Sequence, residues 1–163
     1  MRHFLRSVRL DGSDAKVFHR AAEPGELAVP GGFVFAERDP ASLDAKDRQA
    51  FRNGWLGTES FGHATLVEVA EISEAEFFQV VERLARHFVS HYGAPELAAA
   101  LPAARDEADY AASLSDHKVH QMLAIEREPG PEGVIERVRV IRPERAPDHA
   151  KIWRVVPDEE ADT

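Results

Sequence analysis

Two sets of residues have the types and spacing to do chemistry. His87 and His91 stand four positions apart in EFFQVVERLARHFVSHYG, a spacing that on a helix lets two imidazoles converge on one metal ion. Asp116, His117 and His120 follow in the next segment, so His87, His91 and His120 form the alternative metal set. Position 88 is Phe where a zinc protease of the His-Glu-x-x-His type carries its general base, and that reaction is excluded. The structural reading of the same pair is that both imidazoles cover the edge of the core. The second set lies in and before the loop NGWLGTESFGH at 53–63. Gly54, Gly57 and Gly62 permit positive φ or close backbone approach, and Trp55 and Phe61 alternate with polar groups. Arg48 and Arg52 precede the loop at i, i+4 and can form one anion-binding face. Arg48, Arg52, Asn53, Trp55, Ser60 and His63 are therefore the candidate binding residues, for a protein partner or a small anionic ligand. The competing structural reading is that Trp55 and Phe61 plug one end of the core while the glycines turn the chain.

Other chemistries lack a motif. The chain has no cysteine, which removes thiolate catalysis, Cys-based zinc sites, iron–sulfur clusters and disulfides. Neither G-x-G-x-x-G nor G-x-x-x-x-G-K-[ST] is present. Ser60, Asp116 and His149 stand in the chain order of an α/β-hydrolase triad, but there is no G-x-S-x-G elbow and the chain is too short for that fold. No catalytic residue, resident metal or cofactor is assigned. A formal net charge of -9 repels phosphate backbones and anionic membranes, so no nucleic-acid or membrane partner is expected. The basic N-terminus has no apolar stretch behind it. The longest small-apolar run, 97–104, contains Pro102 and is far shorter than the ~18 residues of a membrane span. A cytoplasmic protein is expected, its acidic residues 157–163 forming a disordered tail.

These residues need elements to position them. Residues 4–10 and 16–20 flank Asp11-Gly12-Ser13-Asp14 and predict a β-hairpin, with short extended pieces at 27–29 and 33–36 completing a meander. Asp39 before Pro40 predicts a short helix carrying Leu43, Ala50 and Phe51 and stopping before Gly54. Residues 64–72 are β-branched and apolar and predict a strand buried on both faces. Ser73 and Glu76 form a capping box, and Phe77, Val81, Leu84, Phe88 and Tyr92 make one apolar stripe closed by Gly93 and Pro95. Residues 95–114 predict an alanine-rich helix, kinked or broken at Pro102. Residues 119–126 and 134–142 flank PGPEG as a second hairpin, with 151–156 as an edge strand. Glu126, Glu128, Glu132 and Glu136 read as its solvated rim, and Arg137 and Arg139 as their cross-strand partners. The sum is one α+β domain over 1–156, an antiparallel or mixed sheet with two or three helices packed on one face.

The segments RLDGSD, VFHRAAEPGELAVPGGFVFA, RQAFRNGWLG, SFGHATLVEVAE and HYGAPEL, in that order across residues 5–142, resemble a family of small bacterial proteins of unknown function. The family has no established catalytic residues to carry over. The resemblance implies a genetic setting of molybdenum-dependent formate dehydrogenases and lipoate-ligase-like proteins, hence an accessory or maturation role. The expectation is a non-catalytic binding or accessory protein acting through residues 48–63. The alternatives are a small metal-dependent enzyme using His87 and His91, or a structural subunit of a larger complex.

Overall fold

A computed structural model describes residues 1–9, 12–145 and 151–157, with side chains up to residue 142. The predicted acidic tail, His149 and the turn residue Asp11 lie wholly or mainly outside the described residues. The fold is α+β. Eight strands form one sheet in the order β4-β3-β2-β1-β5-β6-β7-β8, and every neighbouring pair is antiparallel. In chain order the strands are β1 (Arg2–Val8), β2 (Leu27–Val29), β3 (Trp55–Gly57), β4 (His63–Ala64), β5 (Leu66–Ile72), β6 (Met122–Gly130), β7 (Gly133–Arg145) and β8 (Lys151–Pro157). The helices are α1 (Asp14–Val17), α2 (Ala45–Asn53), α3 (Glu74–His91) and α4 (Leu97–Leu114). No helix among the described residues is long and apolar enough to cross a membrane.

The capped helix forms as its sequence dictates. Ser73 Oγ accepts from the Glu76 amide at 3.1 Å, and the Glu76 carboxylate accepts from the Ser73 amide at 3.0 Å. Phe77, Val81 and Leu84 are buried, Phe88 is half-buried, and Tyr92 at the end of the stripe is exposed. Phe77 meets Phe4 of β1 edge to face at 6.0 Å between centroids. α4 presents Ala100, Ala104, Ala108 and Ala111, all buried, so that α3 and the sheet can approach it closely. The β6–β7 hairpin and the β8 edge also lie where the sequence puts them, and Arg137 and Arg139 pair with Glu128 and Glu126 at 3.3 and 3.2 Å.

Three local expectations are corrected, and of the kink or break expected at Pro102 the break does not occur. The N-terminal hairpin does not form: residues 14–17 make a helical turn, and β1 pairs with β2 and, over seven residues, with β5. The long complementary strand outcompetes the local turn, while Phe18 and Asp14 are drawn inward, Asp14 accepting from Thr65 Oγ1 at 2.8 Å. Residues 33–36 are not extended. Gly31, at φ 75, turns the chain into a 3-10 turn, Gly32–Phe35, that sends Phe33 towards Phe88 and Tyr92 and Phe35 towards Phe51. Asp39 caps only a second 3-10 turn, Pro40–Ser42, and Asp44 is the N-cap of α2, accepting from the Asp47 amide. Helix α4 runs through Pro102 without a break. Only the bond to the Ala98 carbonyl is lost there, at an exposed residue, and the buried alanine stripe continues on either side.

Leu84 is fully buried among the helices and the sheet. Leu84→Ala is expected to cost about 2 to 5 kcal/mol in a urea melt. A loss below about half a kcal/mol would place α3 outside the core.

Candidate functional site

A fully paired cation is buried at Arg127, whose side chain is 1% exposed. Its Nε donates to Glu136 at 2.7 Å. One terminal nitrogen donates to the carbonyls of Phe51 and Gly54 at 3.1 and 3.0 Å, and the other to the carbonyl of Pro30. One planar cation thus joins the β6–β7 hairpin to the end of α2 and to the chain leaving β2. Glu136 also accepts from the Tyr110 hydroxyl on α4. Beside it, Glu107 accepts from the Gly31 amide at 2.7 Å, and burial, then the Glu136 charge, holds its carboxyl above the usual range. The sequence reading missed Arg127 and placed Glu136 on a solvated rim. The available signal was the strand period, which puts Arg127 on the face of the buried Leu123 and Ile125.

The glycine-rich loop is organised by a second buried charge. Glu26 accepts from the amides of Glu23, Glu59 and Ser60 at 2.7, 2.9 and 2.9 Å and from Ser60 Oγ at 2.7 Å. A Cβ at Gly57 would lie 2.1 Å from this carboxylate, and one at Gly62 would lie 2.5 Å from the Ala21 backbone. These glycines are required by close approach.

The six candidate binding residues of the sequence reading are distributed as follows. Trp55 is fully buried in the main core. Asn53 donates to the Ile125 carbonyl and accepts from Gln49. Ser60 is bound to Glu26. Arg48 is exposed and donates to the Leu43 carbonyl at 3.0 Å, and Arg52 is exposed. His63 sits between Phe18 and Phe35, at 5.7 and 6.1 Å between centroids. Burial, then the Arg127 charge, lowers its pKa to about 4.

The alternative metal set is not assembled. His87 and His91 stack at 4.5 Å, but His120 is engaged elsewhere, its amide on the Val69 carbonyl and its ring 3.6 Å from Glu68. Among the described residues the one group with metal-ligand proximity is His19, Asp44 and Asp47. Its members are already occupied as an ion-pair cluster: His19 meets Asp44 at 2.8 Å, Asp47 meets Arg38 at 2.9 Å, and Asp44 caps α2.

Two cavities flank the chain at 32–38. One, of about 520 Å³, has Phe35, Phe51, Pro129 and Val134 in its walls with Arg127 and Glu136 among its lining groups. The other, of about 720 Å³, is lined by Phe33, Glu37, Arg38, His87, His91 and Tyr92. Ala36 and Arg38 border both. None of the six candidate residues lines either cavity, but Phe51, from the same segment, walls the first.

The His63 environment gives a pH dependence with a fixed sign. A histidine pKa lowered from 6.5 to about 4 on folding means that the unfolded chain binds more protons between those values. The stability due to neutral His63 is therefore complete above about pH 6.5 and is lost as the pH falls towards 4. Thermal melts from pH 7.5 to 4.5 are expected to show a decline that His63→Phe, which keeps a ring beside Phe18 and Phe35, reduces. An identical decline in both proteins would remove His63 as a cause.

No curated protein and no solved structure is detectably similar to this chain. Residues 1–155 match the model of a family of unknown function, DUF6505, over nearly the whole length, and the chain belongs to that family.

Proposed function

We propose that the chain is a non-catalytic binding protein of the accessory type, and that a partner protein docks where the β6–β7 hairpin, the 3-10 turn at Gly32–Phe35 and Phe51 meet. One observation carries this reading. Val134 and Ile135, at the tip of the hairpin, are 53% and 39% exposed, and Val134 borders the cavity walled by Phe35, Phe51 and Pro129. A space of about 520 Å³ can take a large apolar side chain, and an anchor of that kind in a pocket beside an apolar rim is how protein interfaces concentrate their binding energy.

The electrostatics of the cavity favour an apolar anchor over a free anion. Arg127 is neutralised by Glu136 and its donors are directed at three carbonyls, so each nitrogen of this cavity's buried cation is already engaged within the protein, and Arg38 stands at the cavity's exposed border with the second cavity. Of the two partner types expected from the sequence, a protein fits this cavity better than a small anion. Residues 48–63 contribute to the surface through Phe51 and through the carbonyls that hold Arg127, a different contribution from the arginine and loop face expected from the sequence. The resemblance to proteins from molybdenum-dependent formate dehydrogenase gene clusters fits an accessory that engages an enzyme during its maturation.

The test compares affinity purification of the tagged chain from its own cells with that of a Val134→Asp, Ile135→Asp variant. A partner recovered with the wild-type chain is expected to fall by about ten-fold or more with the variant, the loss of two interface anchors, while the melting temperature is held. Undiminished recovery of the same protein with the variant would move the docking surface elsewhere.

A further inference from the structure

The second cavity, on the Phe33 side of the 3-10 turn, has a different chemistry. His87 is clamped there: Phe61 stacks on it at 3.8 Å and 3° between planes, and His91 packs on it at 4.5 Å and 29°. Phe61 reaches that position with φ 56, a left-handed conformation that a bulky non-glycine residue adopts at a cost. The backbone is therefore strained at the residue that fixes the plane of His87. The column continues outward through His91, which is exposed and bonded to Ser90 Oγ at 2.7 Å. Phe33 and Tyr92, perpendicular to each other at 5.4 Å, add two more rings to the wall.

The polar side chains lining this cavity are His87, His91, Tyr92 and Arg38, with the exposed carboxylate of Glu37 beside Arg38. No described residue hydrogen-bonds either ring nitrogen of His87. Burial, then the neighbouring His91, lowers its pKa to about 4, so at neutral pH it offers one donor and one acceptor. Arg38 lines the same cavity, and its charge acts on the Tyr92 hydroxyl. Its ion pair with Asp47 uses one terminal nitrogen, at 2.9 Å. The volume, about 720 Å³, lies within the usual range of small-molecule sites, roughly 300 to 1,000 Å³, and apolar rings with a few fixed polar groups are their usual lining.

We propose that this cavity binds a small planar heteroaromatic molecule carrying an acidic group, its ring held among Phe33, Tyr92 and His91, its edge hydrogen-bonded to the ring edge of His87 and its acid facing Arg38. The site is separate from the hairpin docking surface and shares with it only the border formed by Ala36 and Arg38, so either can fail alone.

The experiment is calorimetric titration of the full chain with flavin mononucleotide, adenosine monophosphate and indole-3-acetate, each beside its neutral counterpart riboflavin, adenosine or indole. At least one acid is expected to bind one to one with a Kd of about 100 μM or tighter. Its neutral counterpart is expected to bind about ten-fold more weakly and to ignore Arg38→Gln, which weakens the acid by about the same factor. His87→Phe keeps a ring in the column but removes the nitrogens, and is expected to weaken acid and neutral forms alike. The Val134→Asp, Ile135→Asp variant is expected to bind as wild type. Binding no tighter than about 1 mM for all six probes, or binding indifferent to both His87→Phe and Arg38→Gln, would overturn the proposal.

Discussion

A guanidinium withdrawn from water sets the geometry around which this fold closes. Burying an unpaired charge costs several kcal/mol, and the cost is offset only where geometry and hydrogen bonding are nearly complete. Arg127 meets that condition with one carboxylate and three carbonyls. Those carbonyls belong to groups that regular structure leaves unsatisfied: Phe51 and Gly54 at the C-terminal end of α2, and Pro30 just beyond β2. A helix C-terminus carries orphan acceptors and partial negative charge, so a cation there serves both needs. The same contacts fix the distance between Phe51 and the hairpin, and with it the mouth of the smaller cavity.

The second buried charge, Glu26, does for the glycine-rich loop what Arg127 does for the hairpin. Its carboxylate gathers three amides and a hydroxyl, and the loop bends around it, with a glycine at the one position where a side chain would strike the carboxylate. The loop therefore has the composition of a recognition element and the construction of a structural one. The recognition surfaces proposed here lie on either side of the 3-10 turn, where Phe33 and Phe35 point into different cavities and Arg38 borders both.

What was legible in the sequence was local. The capping box and stripe of α3, the β6–β7 hairpin around its PGPEG turn, the helix stop at Gly54 and the α+β class all follow from residues within a few positions of one another. The N-terminal hairpin was misread because β5, sixty residues away, offers β1 a longer partner than the local turn does. The segment 33–36 was misread because two phenylalanines alternating with small residues look extended, whereas each answers to a different aromatic neighbour. Gly57 was recognisable as a backbone requirement, but its cause, Glu26, lies thirty-one positions earlier. Arg127 and Glu136 look like any exposed charged pair until the strand register sets them opposite each other under α4.

The dependence on Arg127 is tested most directly by a double-mutant cycle in chemical denaturation, with Arg127→Met, Glu136→Gln and both together. Arg127→Met leaves Glu136 half-buried and three carbonyls without their donor, and a loss of about 3 to 5 kcal/mol is expected, with the two changes together costing less than their sum by about 1 kcal/mol or more. An Arg127→Met protein within about half a kcal/mol of wild type, with additive effects in the cycle, would contradict the view that this cation holds the hairpin, α2 and β2 in place.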